Sequence, residues 1–254
     1  MFAVVSYGIP ANVRLGIFIL GGRAMPSDQE LFAKGLATYR KVESANYMAH
    51  REVYGLLHDV LISEAPDAFT FADLGCGTAT GSAKALAGTQ IGRYVGVDIS
   101  EPSLDVAREA LSGLPCPIDL RRGDFPEAID KWTGPLEVVW IGQSLHHLRA
   151  PEKRRFMRQV ARLLPSDGLF VIWEPTCLEG EDREGWMERF RQIRPYWSAV
   201  SDEEFVSFDS HHRASDYAET AETWIGMARE AGFTRADELL TVPNKLARVY
   251  RVRC

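Results

Sequence analysis

The run Phe71-Ala72-Asp73-Leu74-Gly75-Cys76-Gly77-Thr78-Ala79-Thr80-Gly81 sets a carboxylate two residues before a pair of glycines. A second carboxylate, Asp98, follows Gly77 by 21 residues. Glycines with no Cβ let a backbone bend sharply and come into contact with a ligand. An acid about 20 residues beyond such a bend lies at the distance of a ribose-binding group, and a carboxylate can accept from both ribose hydroxyls. The chemistry implied is retention of an adenosine-containing ligand. Two histidine pairs, His146-His147 and His211-His212, add groups that can take a proton near neutral pH.

These residues need elements to hold them. Residues 69–74 form a short apolar run broken by Asp73 and closed by turn residues, which reads as a buried parallel strand. A helix follows over 80–87 and ends near Gly88, with its first N–H groups facing back to the turn. Strands are expected near 92–97, 116–120, 136–141 and 168–173, and helices near 101–112 and 151–164. Ser100, Ser103 and Asp105 supply capping groups for the first of these helices. Pro151 suits the first turn of the second. A last helix over 215–231 ends at Gly232 and leads to paired strands near 234–241 and 246–252, with Pro243-Asn244 at their turn. Alternating strands and helices imply βαβ units and a parallel sheet.

Asp73 narrows the choice of ligand. A dinucleotide would bring its pyrophosphate to this bend, where an anionic side chain repels it. A ligand with an ammonium group, such as the methionyl end of S-adenosylmethionine, is attracted instead. The third glycine of the dinucleotide pattern is also missing, since Ala79 stands there and the next glycine is Gly81.

Asp73-Leu74-Gly75-Cys76-Gly77-Thr78 resembles the first motif of class I S-adenosylmethionine-dependent methyltransferases. Further segments resemble that family in order: Val97-Asp98-Ile99-Ser100, Arg122-Gly123-Asp124-Phe125, Val138 to Leu148, Leu163 to Ile172, and Glu230-Ala231-Gly232-Phe233. The resemblance spans about residues 69–252. It implies an α/β fold: a Rossmann-like, seven-stranded, mostly parallel sheet with helices on both faces and a C-terminal antiparallel hairpin. It implies S-adenosylmethionine as cofactor, held by Asp73, Gly75, Cys76, Gly77, Asp98 and Ile99. Asp124 would meet the adenine amino group while Phe125 packs on the ring, and Gln143 would face the methionyl part or the substrate. The domain is expected over residues 25–254, with a helical cap at 25–66 and a lid at 176–214. That lid holds Trp186, Phe190, Tyr196, Trp197, Phe205 and Phe208, and such insertions at strand C-termini cover ligands. Residues 1–24 are read as an extension, because Ser27 and Glu30 form a capping box just after Met25.

Other candidates keep two readings each. His147 or His146 could serve as a general base. Adjacent residues point apart, so at most one is expected to face the site. His211 and His212, in the lid, read first as part of a solvated loop and second as neighbours of the substrate; two adjacent pairs lack the spacing of a metal motif, so no metal is expected. On a helix over 43–62, Tyr47, His50, Arg51 and Tyr54 fall within about 100° of arc, continued by Leu57 and Leu61. This stripe is either core, or it brings Tyr47 and Arg51 to the mouth of the cofactor cleft, where Arg51 could bind a carboxylate. Glu174 is either a site acid or a strand-end cap.

Composition sets outer limits. The 254 residues are 46% hydrophobic with a net charge of −6, enough for one core. Lys153-Arg154-Arg155 and Arg121-Arg122 are the densest basic patches, too short for a nucleic-acid track. Four widely spaced cysteines carry no C-x-x-C and point to neither a zinc ribbon nor a disulfide framework. Reduced thiols suit the cytoplasm. No apolar run approaches the ~18 residues of a membrane span. The function expected is methyl transfer from S-adenosylmethionine to an oxygen, nitrogen or carbon of a small organic substrate, by a monomer or homodimer. A tRNA-nucleoside methyltransferase and a non-catalytic cofactor-binding regulator stand as alternatives. A short-chain oxidoreductase is disfavoured because no Tyr-x-x-x-Lys occurs.

Overall fold

The computed structural model describes residues 28–254. The extension over 1–24 and the capping residue Ser27 lie outside the described residues. The chain begins with helices α1 (Asp28–Ser44) and α2 (His50–Glu64) and then alternates: β1 (Phe69–Leu74), α3 (Thr80–Leu86), β2 (Ile91–Asp98), α4 (Glu101–Ala110), β3 (Ile118–Arg122), α5 (Phe125–Asp130), β4 (Val138–Gly142), a 3-10 turn (Leu145–His147), α6 (Ala150–Leu163) and β5 (Leu169–Cys177). The remainder is α7 (Arg183–Gln192), α8 (Asp202–Ser215), β6 (Glu219–Thr220), α9 (Ala221–Ala231), β7 (Arg235–Thr241) and β8 (Ala247–Arg253).

Seven strands run in the order β3-β2-β1-β4-β5-β8-β7, and the two-residue β6 joins β5 as an eighth. Strands β3 to β5 are parallel, while β8 is antiparallel to both β5 and β7. The order reverses direction between β1 and β4, which is where open α/β sheets bind ligands, beyond the strand C-termini.

The pleat sorts the core. Ala72, Leu74, Val95, Val97, Val139, Ile141, Phe170 and Ile172 face α6 and α9 in one cluster. Their alternates Phe69, Phe71, Tyr94, Val138, Trp140, Val171 and Trp173 face α2 and α3 in another. Every residue of β1 and of β5 is buried, as expected for central strands covered on both faces.

Two expected helices are corrected. The helix over 43–62 is interrupted: Asn46 and Ala49 take positive φ of 58° and 63°. Asn46 tolerates that conformation, and its Oδ1 accepts from Arg51 N at 2.9 Å while its Nδ2 donates to Glu52 at 2.7 Å. Apolar periodicity continues across this break and hides it. The helix over 215–231 begins only at Ala221. Residues 216–220 run extended because Glu219 and Thr220 pair with Thr176 and Cys177, and Thr220 then caps α9 by accepting from Thr223 N at 3.1 Å.

The lid is helical and has its own core. Trp186, Phe190, Trp197, Phe205 and Phe208 are each 3–6% exposed, and Phe190 stacks on Phe205 at 4.9 Å. Burying five such rings contributes on the order of 10 kcal/mol against the entropy of ordering them. Tyr196, counted with these aromatics in the sequence, is 77% exposed.

Gly81 fixes how α2 meets α3. A Cβ there would stand 2.0 Å from Tyr54 Cε2, so only glycine lets the tyrosine ring lie on the first turn of α3. Gly81→Ala is therefore expected to lower stability by about 1–3 kcal/mol in urea unfolding, and Tyr54→Leu in the Gly81→Ala background should recover part of it. Full stability in Gly81→Ala alone would refute this packing.

Candidate active site

The turn after β1 is held by backbone bonds from its neighbour strand. Gly75 N and Cys76 N both donate to Val97 O, at 2.8 and 3.0 Å. Gly75 has φ 69°, and a Cβ on it would fall 2.3 Å from Ser144 Oγ. Gly77 N donates to Asp98 Oδ2 at 2.9 Å, and Ser100 N donates to Asp98 Oδ1 at 2.8 Å. The 21-residue spacing thus has a structural cause: Asp98 ties the end of β2 to the glycine turn. Burial pushes the Asp98 carboxyl above its usual range, against these two hydrogen bonds.

Asp73 is 2% exposed. Tyr94 donates its hydroxyl to Asp73 Oδ2 at 2.7 Å, and no cation among the described residues forms an ion pair with it. Burial pushes its carboxyl from 3.8 up to about 6, although hydrogen bonds from Ser82 and Tyr94 pull the other way. Cys76 is buried, and burial raises its thiol well above the ordinary range. It is a protonated thiol rather than a nucleophile. Ile99 is half-buried beside Asp98. Asp124 stands at the N-terminus of α5 without a capping bond of its own, and burial and then Glu127 raise its carboxyl. Phe125 packs edge-on against Phe156 with centroids 5.4 Å apart.

The loop after β4 is organised by Glu174, which is fully buried on β5. Its carboxylate accepts from Ser144 N at 3.0 Å, Leu145 N at 2.7 Å and His146 N at 3.2 Å, and lies 2.6 Å from His146 Nδ1. Of the two sequence readings, Glu174 caps a loop rather than lying open to a ligand. Gln143 sits at the hinge of this loop with φ 56°, a conformation that costs a residue with a Cβ about 1–2 kcal/mol and gathers at functional sites. Its backbone N donates to Trp173 O at 2.7 Å.

A cavity partly open to solvent lies between this loop and the lid. Its apolar wall includes Trp186, Phe190, Trp197 and Phe208, and Gln143, His146, His147, His211, His212 and Asp216 form its polar end. Two expectations are corrected here. Both His146 and His147 face the cavity, because the 3-10 turn brings their rings to 4.2 Å. His211 and His212 are on α8, not in a solvated loop, and both line the cavity. Burial lowers them to about 3 and about 4, so they are neutral imidazoles.

Asp216 escaped the sequence reading. It is 2% exposed, just beyond the end of α8. Its one signal in the sequence was the i,i+4 step from His212. Arg183 holds this bend, donating to the carbonyls of His212, Arg213 and Asp216 at 3.0, 2.6 and 2.5 Å. Tyr217 N donates to His146 O at 2.8 Å, and buried Lys153 donates to Tyr217 O and to Glu219 Oε1.

Tyr47 and Arg51 are not on one helix face. Tyr47 lies in the break, stacks on Trp197 at 5.1 Å and accepts from Ala199 N at 2.8 Å, which ties the cap to the lid. The Arg51 side chain is exposed. His50 is buried, 2.9 Å from Tyr39 Oη, and burial lowers it to about 3.

Asp73 should leave a signature in the pH dependence of stability. Its folded pKa lies above its unfolded one, so the folded chain holds an extra proton between about pH 4 and 6. The resulting stabilisation is complete below the unfolded pKa and is lost as pH rises through about 6, by about 3 kcal/mol at most. In urea unfolding, the stability difference between the wild type and Asp73→Asn is expected to change by about 2–3 kcal/mol between pH 4 and 7.5, with the wild type losing. A difference independent of pH would contradict the burial of this carboxyl.

Residues 71–168 match the family described as "Methyltransferase domain". A carboxy-S-adenosyl-L-methionine synthase 1 of Yersinia pseudotuberculosis is 28% identical over 136 residues, which is 50% of this chain and 56% of that protein. The chain thus spans about half the length of the curated relatives it matches. An O-methyltransferase family protein from Burkholderia thailandensis superposes with a TM-score of 0.60 at 19% identity, covering 89% of this chain and 62% of that one. PigF solved with SAH gives 0.51 at 18% identity, over 73% and 50%. At these identities the solved structures establish the fold, and the matched domain carries the glycine turn, Asp98 and the loop after β4 within it. Residues 71–168 thus carry a methyltransferase domain, and the chain around them shares its fold with S-adenosylmethionine-dependent methyltransferases.

Proposed function

We propose that this chain binds S-adenosylmethionine over the glycine turn and transfers its methyl group to a small organic acceptor in the lid cavity. The observation that carries this reading is the junction of the two sites at Gln143-Ser144. Ser144 closes on Gly75, and Gln143 lines the cavity. A ligand over the turn and a molecule under the lid would therefore meet at this loop.

The residues present fit that cofactor. Asp73 is a buried carboxylate without a counter-cation among the described residues, which suits the ammonium of a methionyl group. Asp98, already anchored to Gly77 and Ser100, keeps lone pairs for ribose hydroxyls. Asp124 and Phe125, one turn beyond β3, are assigned to the adenine. The sulfonium of the bound cofactor supplies an electrophilic methyl group without further activation. What this chain contributes is alignment and exclusion of water: Gln143 orients at the junction, and the aromatic lid covers the acceptor. Loss of a proton from a hydroxyl or amine acceptor is assigned to the polar end of the cavity, at His146 and His147. The aromatic wall of the cavity and the net charge of −6 favour a small molecule over tRNA.

Calorimetry with S-adenosylmethionine should show one site per chain, and mass spectrometry of treated cell extract should reveal products heavier by one methyl group. No binding would end this reading. Asp98→Ala is expected to weaken binding by about 1.5–3 kcal/mol, the scale of charge-assisted hydrogen bonds. An unchanged dissociation constant would remove the ribose contact. Wild-type affinity should also fall as pH drops below about 6, where Asp73 takes up its proton, and Asp73→Asn should flatten that dependence.

A further inference from the structure

Four imidazoles surround one buried carboxylate. His146 Nε2 and His212 Nε2 lie 3.5 and 3.6 Å from Asp216 Oδ2, while His147 Nδ1 and His211 Nε2 lie 3.4 and 3.6 Å from Oδ1. These four distances are alike, and none is that of a charge-assisted hydrogen bond, which is about 2.7–2.9 Å. Ligand atoms sharing one tetrahedral ion at about 2.0–2.1 Å stand about 3.3 Å from each other. Asp216 Oδ1 is buried and receives no hydrogen bond of ordinary geometry from the described residues, a costly state for a carboxylate unless a cation is shared. One donor atom each from His146, His147 and Asp216 falls within 4.8 Å of the other two.

The surroundings have the form of a metal centre. Metal-bound histidines donate their second ring nitrogen to a carboxylate, which fixes the tautomer. Glu174 does this to His146: it sits 2.6 Å from Nδ1, so Nε2 is the nitrogen turned to Asp216. The strap of Arg183, Tyr217 and Lys153 holds Asp216 in place from the other side. We propose that His146, His147 and Asp216 bind a divalent transition-metal ion, Zn²⁺ or Fe²⁺, with His211 and His212 bordering the site from α8. An imidazole-rich set with one carboxylate selects such ions over Mg²⁺ or Ca²⁺, which prefer oxygen. In the sequence the pairs gave no metal spacing; the fold joins His147 to His211 across 64 positions.

The ion would lie at the polar end of the cavity, with coordination positions open toward its occupant. The class of occupant implied is a small molecule presenting a hydroxyl, enolate or carboxylate oxygen, whose ionised form the ion favours. With the ion bound, His146 and His147 are ligands rather than bases. The metal site does not depend on methyl transfer, so the two readings can fail separately.

The test uses the full untagged chain, stripped with chelator and dialysed. Zn²⁺ calorimetry should give one site per chain, and Co²⁺ should develop the visible absorption of a low-symmetry site rather than that of the hydrated ion. His147→Ala and Asp216→Asn should each weaken binding at least 100-fold. Glu174→Gln, a positioning change, should weaken it about 10- to 100-fold. His58→Gln, whose ring contacts Ala85 O far from the cavity, should leave it unchanged. Absence of a stoichiometric site in the wild-type chain overturns the proposal even if the variants misfold, as does binding indifferent to His147→Ala and Asp216→Asn in folded protein. S-adenosylhomocysteine titrated into the same samples reports the cofactor site separately.

Discussion

A fully buried carboxylate on the central sheet must be satisfied, and Glu174 is satisfied almost wholly by the loop that follows the neighbouring strand. Three consecutive backbone N–H groups and one imidazole converge on it. An unpaired charge in that position would cost several kcal/mol, so the loop cannot relax without a large penalty. Much else follows from this clasp. It turns Gln143 into its strained conformation, sets Ser144 against Gly75, and aims His146 at Asp216. The cofactor side and the cavity side of the loop are thus positioned by one buried anion.

The lid reaches the same loop from above. Its aromatic core packs α7 against α8, and Tyr47 pins the N-terminal cap to it through Trp197 and Ala199. The exit from α8 is bound downward by Tyr217 N to His146 O and clasped by Arg183. The guanidinium groups of Arg149 and Arg183 both lie over the Tyr217 ring, 4.6 and 5.1 Å from its centroid. A segment that reads as the first turns of a helix becomes an extended strap because these contacts and the β6 pairing together outweigh local helical preference.

The parts readable in the sequence are those set by short-range rules. Glycines before a helix, an acid at a strand's end and alternating apolar runs placed β1, α3 and β2 nearly residue by residue. Asp73, Gly75, Gly77 and Asp98 are brought together because turn geometry and the 21-residue spacing act over one βαβ unit. The break at Asn46 was not readable, since periodicity carries on through it and only the αL cap reveals the new helix. Asp216 was hidden for another reason. Its meaning comes from His146 and His147, and only the lid's return path brings them together. Glu174 was ambiguous because a carboxylate at a strand end serves loop or ligand equally, and the backbone of residues 144–146 decides.

The position of α8 has one more consequence. The same helix walls the cavity and carries His211 and His212, and its last turn delivers Asp216. Wall and polar corner therefore share one piece of backbone. A substitution that alters the pitch of this helix would change the shape of the pocket and the spacing of its imidazoles in a single stroke.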